Sequence, residues 1–207
     1  MELIEKAPAK INLSLDALYR HADGEHEWQM VMTSVDLADY VSIKPSHSIQ
    51  VSTDSGFLPE DPRNLAYKAA LALQRHANIR QGARIHIEKH IPVAAGLGGG
   101  SSDAAAVLRG LNSLLQLGYS RSQLARIGLQ VDSDVPYCVY SETALVTGRG
   151  DVSRHWEVYR TFGLFWLSRG CQCQRQVFLM QLTIRPAFCT QIHLKSFPGF
   201  KTMISPK

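Results

Sequence analysis

A glycine-rich segment at residues 91–106 limits what this chain can fold into more than any other feature. It reads Ile-Pro-Val-Ala-Ala-Gly-Leu-Gly-Gly-Gly-Ser-Ser-Asp-Ala-Ala-Ala. Glycines let successive backbone N–H groups point into one concavity, and the start of a following helix adds unpaired N–H donors and the positive end of its dipole. The segment therefore predicts a cradle for a triphosphate tail, between a strand at 85–89 and a helix at 102–115.

Two common nucleotide-binding motifs do not fit this segment. A Walker A loop needs a lysine after its last glycine, and no lysine lies between His90 and Arg109. The dinucleotide-binding pattern needs a glycine at position 101, where Ser101 stands. A mobile glycine linker is the remaining alternative, but linkers rarely run from a strand straight into a regular helix.

Composition and charge bound the class of protein. The chain has 207 residues, 45% of them hydrophobic, which is enough for one domain or slightly more. It has no run of 18 apolar residues and no signal-peptide pattern, so we expect a soluble cytoplasmic protein without a membrane partner. Residues 1–150 hold 14 Lys and Arg against 16 Asp and Glu, whereas residues 151–207 hold 8 against 2. The acidic body argues against a nucleic-acid partner.

The cysteines indicate neither a metal site nor a disulfide framework. Cys138 is the one cysteine before residue 151, and Cys171, Cys173 and Cys189 follow it. The Cys-x-Cys pair has no second pair at zinc-finger spacing, and nothing in the sequence indicates secretion. We interpret all four as free thiols.

Periodicity predicts an α/β two-layer domain over residues 1–150. Ile11, Leu13 and Leu15 alternate with polar residues, so a strand would place Lys10 and Asn12 side by side on its polar face. Further strands are expected across 30–43, broken near 36–39, and at 49–53, with a final strand at 143–147. Helices are expected at 64–77 and from Ser120 to near Gly128, the second opened by a capping box.

Four ordered motifs resemble the GHMP kinases. They are the glycine segment, Ala-Pro-Ala-Lys-Ile-Asn-Leu at 7–13, Asn-Leu-Ala-Tyr at 64–67 and Ser-Asp-Val-Pro at 133–136. The Gly-Gly-Gly-Ser-Ser-Asp form is similar to the branch that phosphorylates the 2-hydroxyl of 4-diphosphocytidyl-2-C-methyl-D-erythritol in non-mevalonate isoprenoid biosynthesis. The resemblance implies an α+β fold of the ribosomal protein S5 domain 2-like type. It also implies ATP and Mg²⁺ as cofactors and diphosphocytidyl methylerythritol as the small-molecule substrate.

The chemistry is expected to depend on two charged residues far apart in sequence. Phosphoryl transfer to an alcohol needs a base at the hydroxyl and positive charge near the transferring phosphate. The resemblance implies that Asp134, in a turn set by Pro136, accepts the hydroxyl proton and that Lys10 holds Asp134 ionised. Without the motifs, the same residues would be interpreted as an exposed turn aspartate and a surface lysine.

The glycine segment is expected to supply the nucleotide half of the site. The hydroxyl of Ser101 or Ser102 could reach the phosphates or a Mg²⁺ ion, and no other metal ligand is assigned. Asp103 fits either a helix-dipole residue in the first turn, which its position favours, or a residue that helps to hold the metal. Asn64 and Tyr67 either approach the adenine or serve as a helix cap and a packed side chain. The expected nucleotide-binding residues are Asn64, Pro92, Val93, Ala94, Ala95, Gly96, Leu97, Gly98, Gly99, Gly100, Ser101 and Ser102.

Substrate recognition is where the chain departs from the pattern. Asn12 and His26 are the implied substrate contacts, but the family segment Asp-Gly-Tyr-His reads Asp-Gly-Glu-His at 23–26. Glu25 offers no surface for base stacking, a contact worth ~1–3 kcal/mol in single-stranded nucleic-acid systems. We hypothesise that Trp28 supplies the aromatic surface instead.

The resemblance stops after Gly150, and residues 151–207 form a basic, atypical tail with one expected strand at 177–184. Relatives are longer by about a domain. Shifting the reading frame by one nucleotide through 170–174 gives a Val-Ser-Val-Ser character that resembles the family's continuation. A frame change is therefore the leading explanation of the tail, and a genuine short variant is the alternative.

Loss of the second domain has two expected consequences. It would expose an apolar face, which predicts aggregation or a homodimer. It also leaves two function classes, a kinase and a nucleotide-binding remnant with little or no turnover.

Overall fold

The fold is described here from a computed structural model that covers residues 2–56, 58–148, 152–155, 161–169 and 175–183. The described residues form eight strands and four helices. In chain order they are β1 (Leu3–Arg20), β2 (His26–Ser46), β3 (Gln50–Thr53), α1 (Leu65–His76), β4 (Gly82–Glu88), α2 (Gly99–Leu114), α3 (Arg121–Leu129), α4 (Val135–Tyr140), β5 (Ala144–Gly148), β6 (Val152–His155), β7 (Thr161–Arg169) and β8 (Arg175–Thr183).

The main sheet is organised around the long strand β2. Its order is β3-β4-β2-β5-β6, and β1 pairs with β2 as well. All pairings are antiparallel except β3 with β4. The β1–β2 pair forms a hairpin that runs from Leu3 opposite Ile43 to Arg20 opposite His26. Strands β7 and β8 form a separate antiparallel pair.

The core lies between this sheet and helices α1 and α2. Ala83, Ile85 and Ile87 of β4 are buried, while the residues between them are exposed, as expected for a strand with one face against helices. Residues 104–108 of α2 are wholly buried. Gly110 lets this helix approach the sheet closely, because a Cβ there would lie 2.4 Å from the Ile43 side chain. The packing fixes α2, and with it the loop before the helix, against β1 and β2.

Most of the predicted elements are present, with corrections at their boundaries. β2 is one strand, and the break predicted near 36–39 is a change of register between the Pro8–Ala38 and Lys10–Ser34 pairs. A second register change between Asn12 and Ser14 turns Leu15 outward, so Leu15 is 51% exposed and not on the predicted apolar face. α2 begins at Gly99, three residues earlier than predicted.

The strand expected at 143–147 as the final one within residues 1–150 corresponds to β5, and β6, β7 and β8 lie after residue 150. Helix α4 was expected to be a turn, because six residues are too few to show a helical period. The strand expected at 177–184 overlaps the backbone of β8.

Some predictions fall wholly or partly outside the described residues. The prediction of free thiols at Cys171, Cys173 and Cys189 is one of them, and the frame change through 170–174 is another. The predicted domain boundary at Gly150 also lies outside the described residues. That boundary stays a prediction. Cys138 is a buried free cysteine, as expected. Within the described ranges, no helix is both long and apolar enough to cross a membrane.

Candidate active site

The glycine segment folds into a loop between β4 and α2 with an alternating backbone. Ala94, Gly96 and Gly98 have φ angles of 59°, 75° and 66°, and the residues between them do not have positive φ. Alternation of this kind turns successive N–H groups toward one side and makes an anion-binding concavity. A Cβ on Gly96 would meet no atom within 4 Å, so the loop is open at this residue.

The loop is held in place by β1. The Lys10 N–H donates to the Leu97 carbonyl at 2.9 Å. Leu97 is buried in a small apolar cluster that includes Ile11 of β1 and Ile91 at the entrance to the loop. A mobile linker would make neither contact, so the linker interpretation is wrong.

The first turn of α2 carries the last glycines of the segment and the two serines. Gly99 and Gly100 belong to the helix, whose first N–H groups have no intrahelical acceptor and are free for an anion. The Ser101 hydroxyl donates to Asp132 Oδ1 at 2.9 Å. The Ser102 hydroxyl donates to the Pro8 carbonyl at 2.8 Å, and the residue is wholly buried. Ser102 therefore links the helix to β1, and contact of a Ser101 or Ser102 hydroxyl with a phosphate or Mg²⁺ stays a prediction.

Lys10 and Asp134 meet at the mouth of the loop. Lys10 Nζ lies 3.1 Å from Asp134 Oδ2, with the two side chains 9% and 30% exposed. Asp134 precedes α4 but makes no side-chain capping bond, because its carboxylate is directed to Lys10. Lys10 is buried, which excludes the surface-lysine interpretation. The pair combines a fixed ammonium with a carboxylate that solvent or a ligand can reach.

Gly98 has no room for a side chain because Lys10 passes over it. A Cβ on Gly98 would lie 2.7 Å from Lys10 Cγ, and its φ of 66° is strained for other residues. The loop and the Lys10 side chain are thus in direct contact.

Asp132 connects helix α2 to Asp134. Its Oδ1 accepts both the Ser101 hydroxyl and, at 3.0 Å, the Asp134 N–H. One carboxylate therefore sets the distance between the start of α2 and the start of α4.

Asn64 is a helix cap in this structure. Its Oδ1 accepts the Ala66 N–H at 2.9 Å, and its Nδ2 donates to the Pro59 carbonyl at 2.8 Å. Both polar atoms of the side chain have protein partners, so the capping alternative describes this structure, and the adenine contact stays a prediction. Tyr67 is partly buried against the core.

Comparison with known proteins identifies this arrangement. Residues 64–142 match the family model described as the GHMP kinases N terminal domain. This chain carries a GHMP kinase N-terminal domain. The match covers the loop, α2 and Asp134, and Lys10 lies before it.

Relatives with curated names agree with the assignment. A protein of Latilactobacillus sakei named 4-diphosphocytidyl-2-C-methyl-D-erythritol kinase is 71% identical over 153 residues, which are 73% of this chain and 54% of that protein. One of the same name from Lactiplantibacillus plantarum is 65% identical over 154 residues, again 73% of this chain and 54% of that protein. The chain thus spans about half the length of the curated relatives it matches.

Solved structures show the same fold. A crystal structure of 4-(cytidine 5'-diphospho)-2C-methyl-D-erythritol kinase superposes with a TM-score of 0.70 at 31% identity, over 83% of this chain and 61% of the other. A homoserine kinase from Cytophaga hutchinsonii gives a TM-score of 0.67 at 20% identity, over 84% and 57% of the two chains. The second likeness shows the fold alone.

The predicted substrate contacts of this GHMP kinase domain lie along the hairpin. Asn12 is exposed on β1, two residues from Lys10. His26 begins β2, eight residues before Ser34, the ladder partner of Lys10. At about 3.3 Å per residue, that is up to about 26 Å of strand. The structure therefore places Asn12 near the loop and His26 at the opposite end, where its ring centre lies 5.5 Å from that of Trp28.

Sequence reasoning missed a buried cluster of three charged residues behind the loop. Lys89 Nζ pairs with Asp39 Oδ2 and, at 2.8 Å, with Asp103 Oδ2. Asp103 lies beyond the first turn of α2 and is 3% exposed, so the favoured helix-dipole interpretation is wrong. Burial raises the pKa of Asp103 to about 7, against the opposing effect of Lys89. The two carboxylates raise the pKa of Lys89, which keeps its ammonium charged in spite of burial.

The sequence did contain a signal for this cluster. Asp39 follows the same alternation as Val35, Leu37 and Val41, which predicts an inward-facing acid in an otherwise apolar strand. Buried acids are rare unless they are paired. An inward-facing Asp39 would have justified a search for a buried lysine.

Proposed function

We propose that this chain provides the nucleotide-binding and catalytic half of an ATP-dependent kinase acting on the 2-hydroxyl of 4-diphosphocytidyl-2-C-methyl-D-erythritol, in non-mevalonate isoprenoid biosynthesis. The observation that carries the proposal is the contact between Lys10 and Asp134 beside the glycine loop. The 71% identical relative supports this choice of substrate. We also propose a cytoplasmic location, where ATP is available.

In this reaction Asp134 takes the proton from the substrate hydroxyl. The hydroxyl oxygen then bonds to the γ-phosphorus, the bond from that phosphorus to the bridging oxygen breaks, and ADP leaves with the released electron pair. Lys10 stabilises the charge that develops on the transferring phosphoryl group. Its contact with the loop at Gly98 places that positive charge next to the cradle.

The loop and the start of α2 hold the triphosphate. The open concavity at Gly96 and the free N–H groups of the first helical turn are donors suited to phosphate oxygens. Mg²⁺ fits this site as an ion that enters with the phosphates, since it commonly uses one or two protein carboxylates. Asp132, whose Oδ1 accepts the Ser101 hydroxyl, is the carboxylate we assign to the ion. The described residues contain no group of three or more His, Cys, Asp or Glu that could hold a metal without the phosphates. The ion would neutralise charge on the phosphates.

The hairpin end is assigned to the cytidine portion. His26 is exposed and offers ring nitrogens for hydrogen bonding, and Trp28 beside it offers an aromatic face. Glu25 offers only carboxylate oxygens to a ligand, so stacking falls to Trp28. Asn12, close to Lys10 along β1, is assigned to the end of the substrate that carries the hydroxyl.

A second candidate function is nucleotide binding without turnover. It is favoured by the loop and the start of α2, which by themselves supply the donors for phosphate oxygens. The two candidate functions differ in whether the Lys10–Asp134 pair takes part in phosphoryl transfer.

A coupled ADP-release assay with ATP, Mg²⁺ and the diphosphocytidyl substrate distinguishes them. Turnover that is lost in Asp134→Asn establishes the kinase. Nucleotide binding by titration calorimetry, with no ADP release from folded protein, establishes the second candidate. Asp16→Asn, on the exposed part of β1, is a matched control that removes a carboxylate away from the loop and is expected to leave turnover unchanged.

A further inference from the structure

The charged cluster behind the loop has contacts at both ends of the glycine segment. At the entrance, Asp39 Oδ1 accepts the N–H groups of His90 and Ile91 at 2.6 and 2.8 Å. At the exit, Asp103 belongs to α2. Lys89 pairs with both carboxylates, so it forms a link across the base of the loop.

The ammonium of Lys89 also lies close to the first residue of α2. A Cβ built on Gly99 would be 3.3 Å from Lys89 Nζ. With a C–C bond of about 1.5 Å, the ammonium is within about 4.8 Å of the Gly99 Cα. The link therefore passes directly beneath the helix start that offers its N–H groups to an anion.

Burying three charged side chains is energetically unfavourable, so stability by itself does not account for this cluster. The side chains of Lys89, Asp39 and Asp103 are 7%, 0% and 4% exposed. Asp103 Oδ1 is buried and has no hydrogen-bond partner among the described residues. Buried ion pairs are often replaceable by apolar residues without loss of stability, and an unpaired buried oxygen destabilises the folded state. A geometric role explains why such a cluster lies here.

We propose that Lys89 and Asp103 are positioning residues for the nucleotide cradle: their ion pair holds the start of α2 at a fixed distance from the loop entrance anchored on Asp39. The inference rests on the proposed nucleotide site. Neither residue touches the substrate. They act through the backbone of the loop, whose N–H groups must converge on the phosphates.

Two substitutions at position 103 test the ion pair with the charge change held constant. Asp103→Ala removes the Lys89–Asp103 ion pair, while Lys89 keeps one carboxylate partner in Asp39. Asp103→Asn removes the same charge but keeps an amide oxygen that can accept from Lys89. A difference in nucleotide affinity between the two variants therefore measures the contact between Lys89 and residue 103, and not the loss of charge.

The measurements are the Kd of ATP and of its β,γ-imido analogue by titration calorimetry, the KM values of both substrates, kcat, and the free energy of unfolding in urea. We expect Asp103→Ala to weaken nucleotide binding and raise the KM for ATP at least about 10-fold, because small displacements of a binding group have large effects. The KM for the alcohol and kcat at saturating ATP should change less than about threefold. Asp103→Asn should stay within about twofold of the unmodified protein in every constant.

Three results would overturn the inference. Asp103→Ala could be folded and bind nucleotide as the unmodified protein does. Asp103→Asn could lose as much affinity as Asp103→Ala, which would make charge the cause. Asp103→Ala and a volume-filling Asp103→Leu could both fail to fold while Asp103→Asn folds. The contact between Lys89 and residue 103 would then be a requirement for folding. Failure of the proposed function looks different, since the unmodified chain itself would then bind no nucleotide or release no ADP.

Discussion

The two ends of the β1–β2 hairpin hold their functional residues very differently. Near the loop, Lys10 is 7% exposed, donates its N–H to Leu97 and lies 3.1 Å from Asp134. At the far end, His26 is exposed and makes a ring contact with Trp28. The first end is fixed by the same packing that forms the domain, whereas the exposed His26 at the second end can vary without disturbing the core. Under the proposed function, the chemistry is therefore built into the fold, and substrate recognition is assigned to the hairpin end that carries Glu25.

The largest effect is expected from the pair at the fixed end. Lys10→Met and Asp134→Asn should each lower kcat by about 10²- to 10⁴-fold, the usual contribution of a positioned proton-transfer group. The double variant should lose about as much as the more damaging single variant, because the two groups act as a unit. Steady-state ADP release measures all three. Additive losses would show that the two side chains work independently, in spite of their contact.

Gly98→Ala tests how closely the loop and Lys10 are matched. The added methyl group would lie 2.7 Å from Lys10 Cγ on a backbone with positive φ, so we expect a kcat at least about 10-fold lower and ~1–3 kcal/mol of lost stability. Gly118→Ala is the control, because Gly118 has a φ of 74° and no atom within 4 Å of a built Cβ. It should lose similar stability and keep its kcat. Equal kcat losses in the two variants would attribute the effect to backbone strain alone.

The fixed end was largely predictable because its residues lie in motifs that each carry a local physical reason. Positive φ at Gly96 and Gly98 and the side-chain cap at Asn64 follow from residue type and neighbours, although α2 begins three residues before its predicted start. What the sequence could not supply was which of two local options a residue takes. Asn64 fitted a cap or a ligand contact, and the structure shows the cap, with the Asn64 Nδ2 donating to the Pro59 carbonyl as well.

The buried cluster and the register changes were not predictable in the same way. The contact between Lys89 and Asp103 joins a strand end to a helix across the loop, and its existence depends on how closely α2 packs on the sheet. The outward turn of Leu15 depends on a register change that involves the partner strand. Both are tertiary effects that override a correct local pattern.

At the variable end, Trp28 is the residue to test. Trp28→Leu keeps apolar volume against the core but removes the aromatic face, so the KM for the diphosphocytidyl substrate should rise about 5- to 150-fold, equivalent to ~1–3 kcal/mol. Trp28→Phe keeps a ring and should stay near the unmodified value. Glu25→Tyr should lower this KM by restoring an aromatic residue. An unchanged KM in Trp28→Leu would mean that Trp28 does not contact the cytidine end.

The smallest effect, and the one that separates structure from ligand binding at the fixed end, is expected at Asn64. Asn64→Ala removes a cap whose side chain bonds Ala66 and Pro59, so the free energy of unfolding should fall by about 0.5–2 kcal/mol. Because both polar atoms already have protein partners, the KM for ATP should not change. Asn64→Asp keeps the acceptor for the Ala66 N–H and should recover part of the stability. Urea unfolding and ATP kinetics on the same preparations give both values. A raised KM for ATP in both variants, with stability preserved in Asn64→Asp, would return Asn64 to the nucleotide site and show that the cap opens when ATP binds.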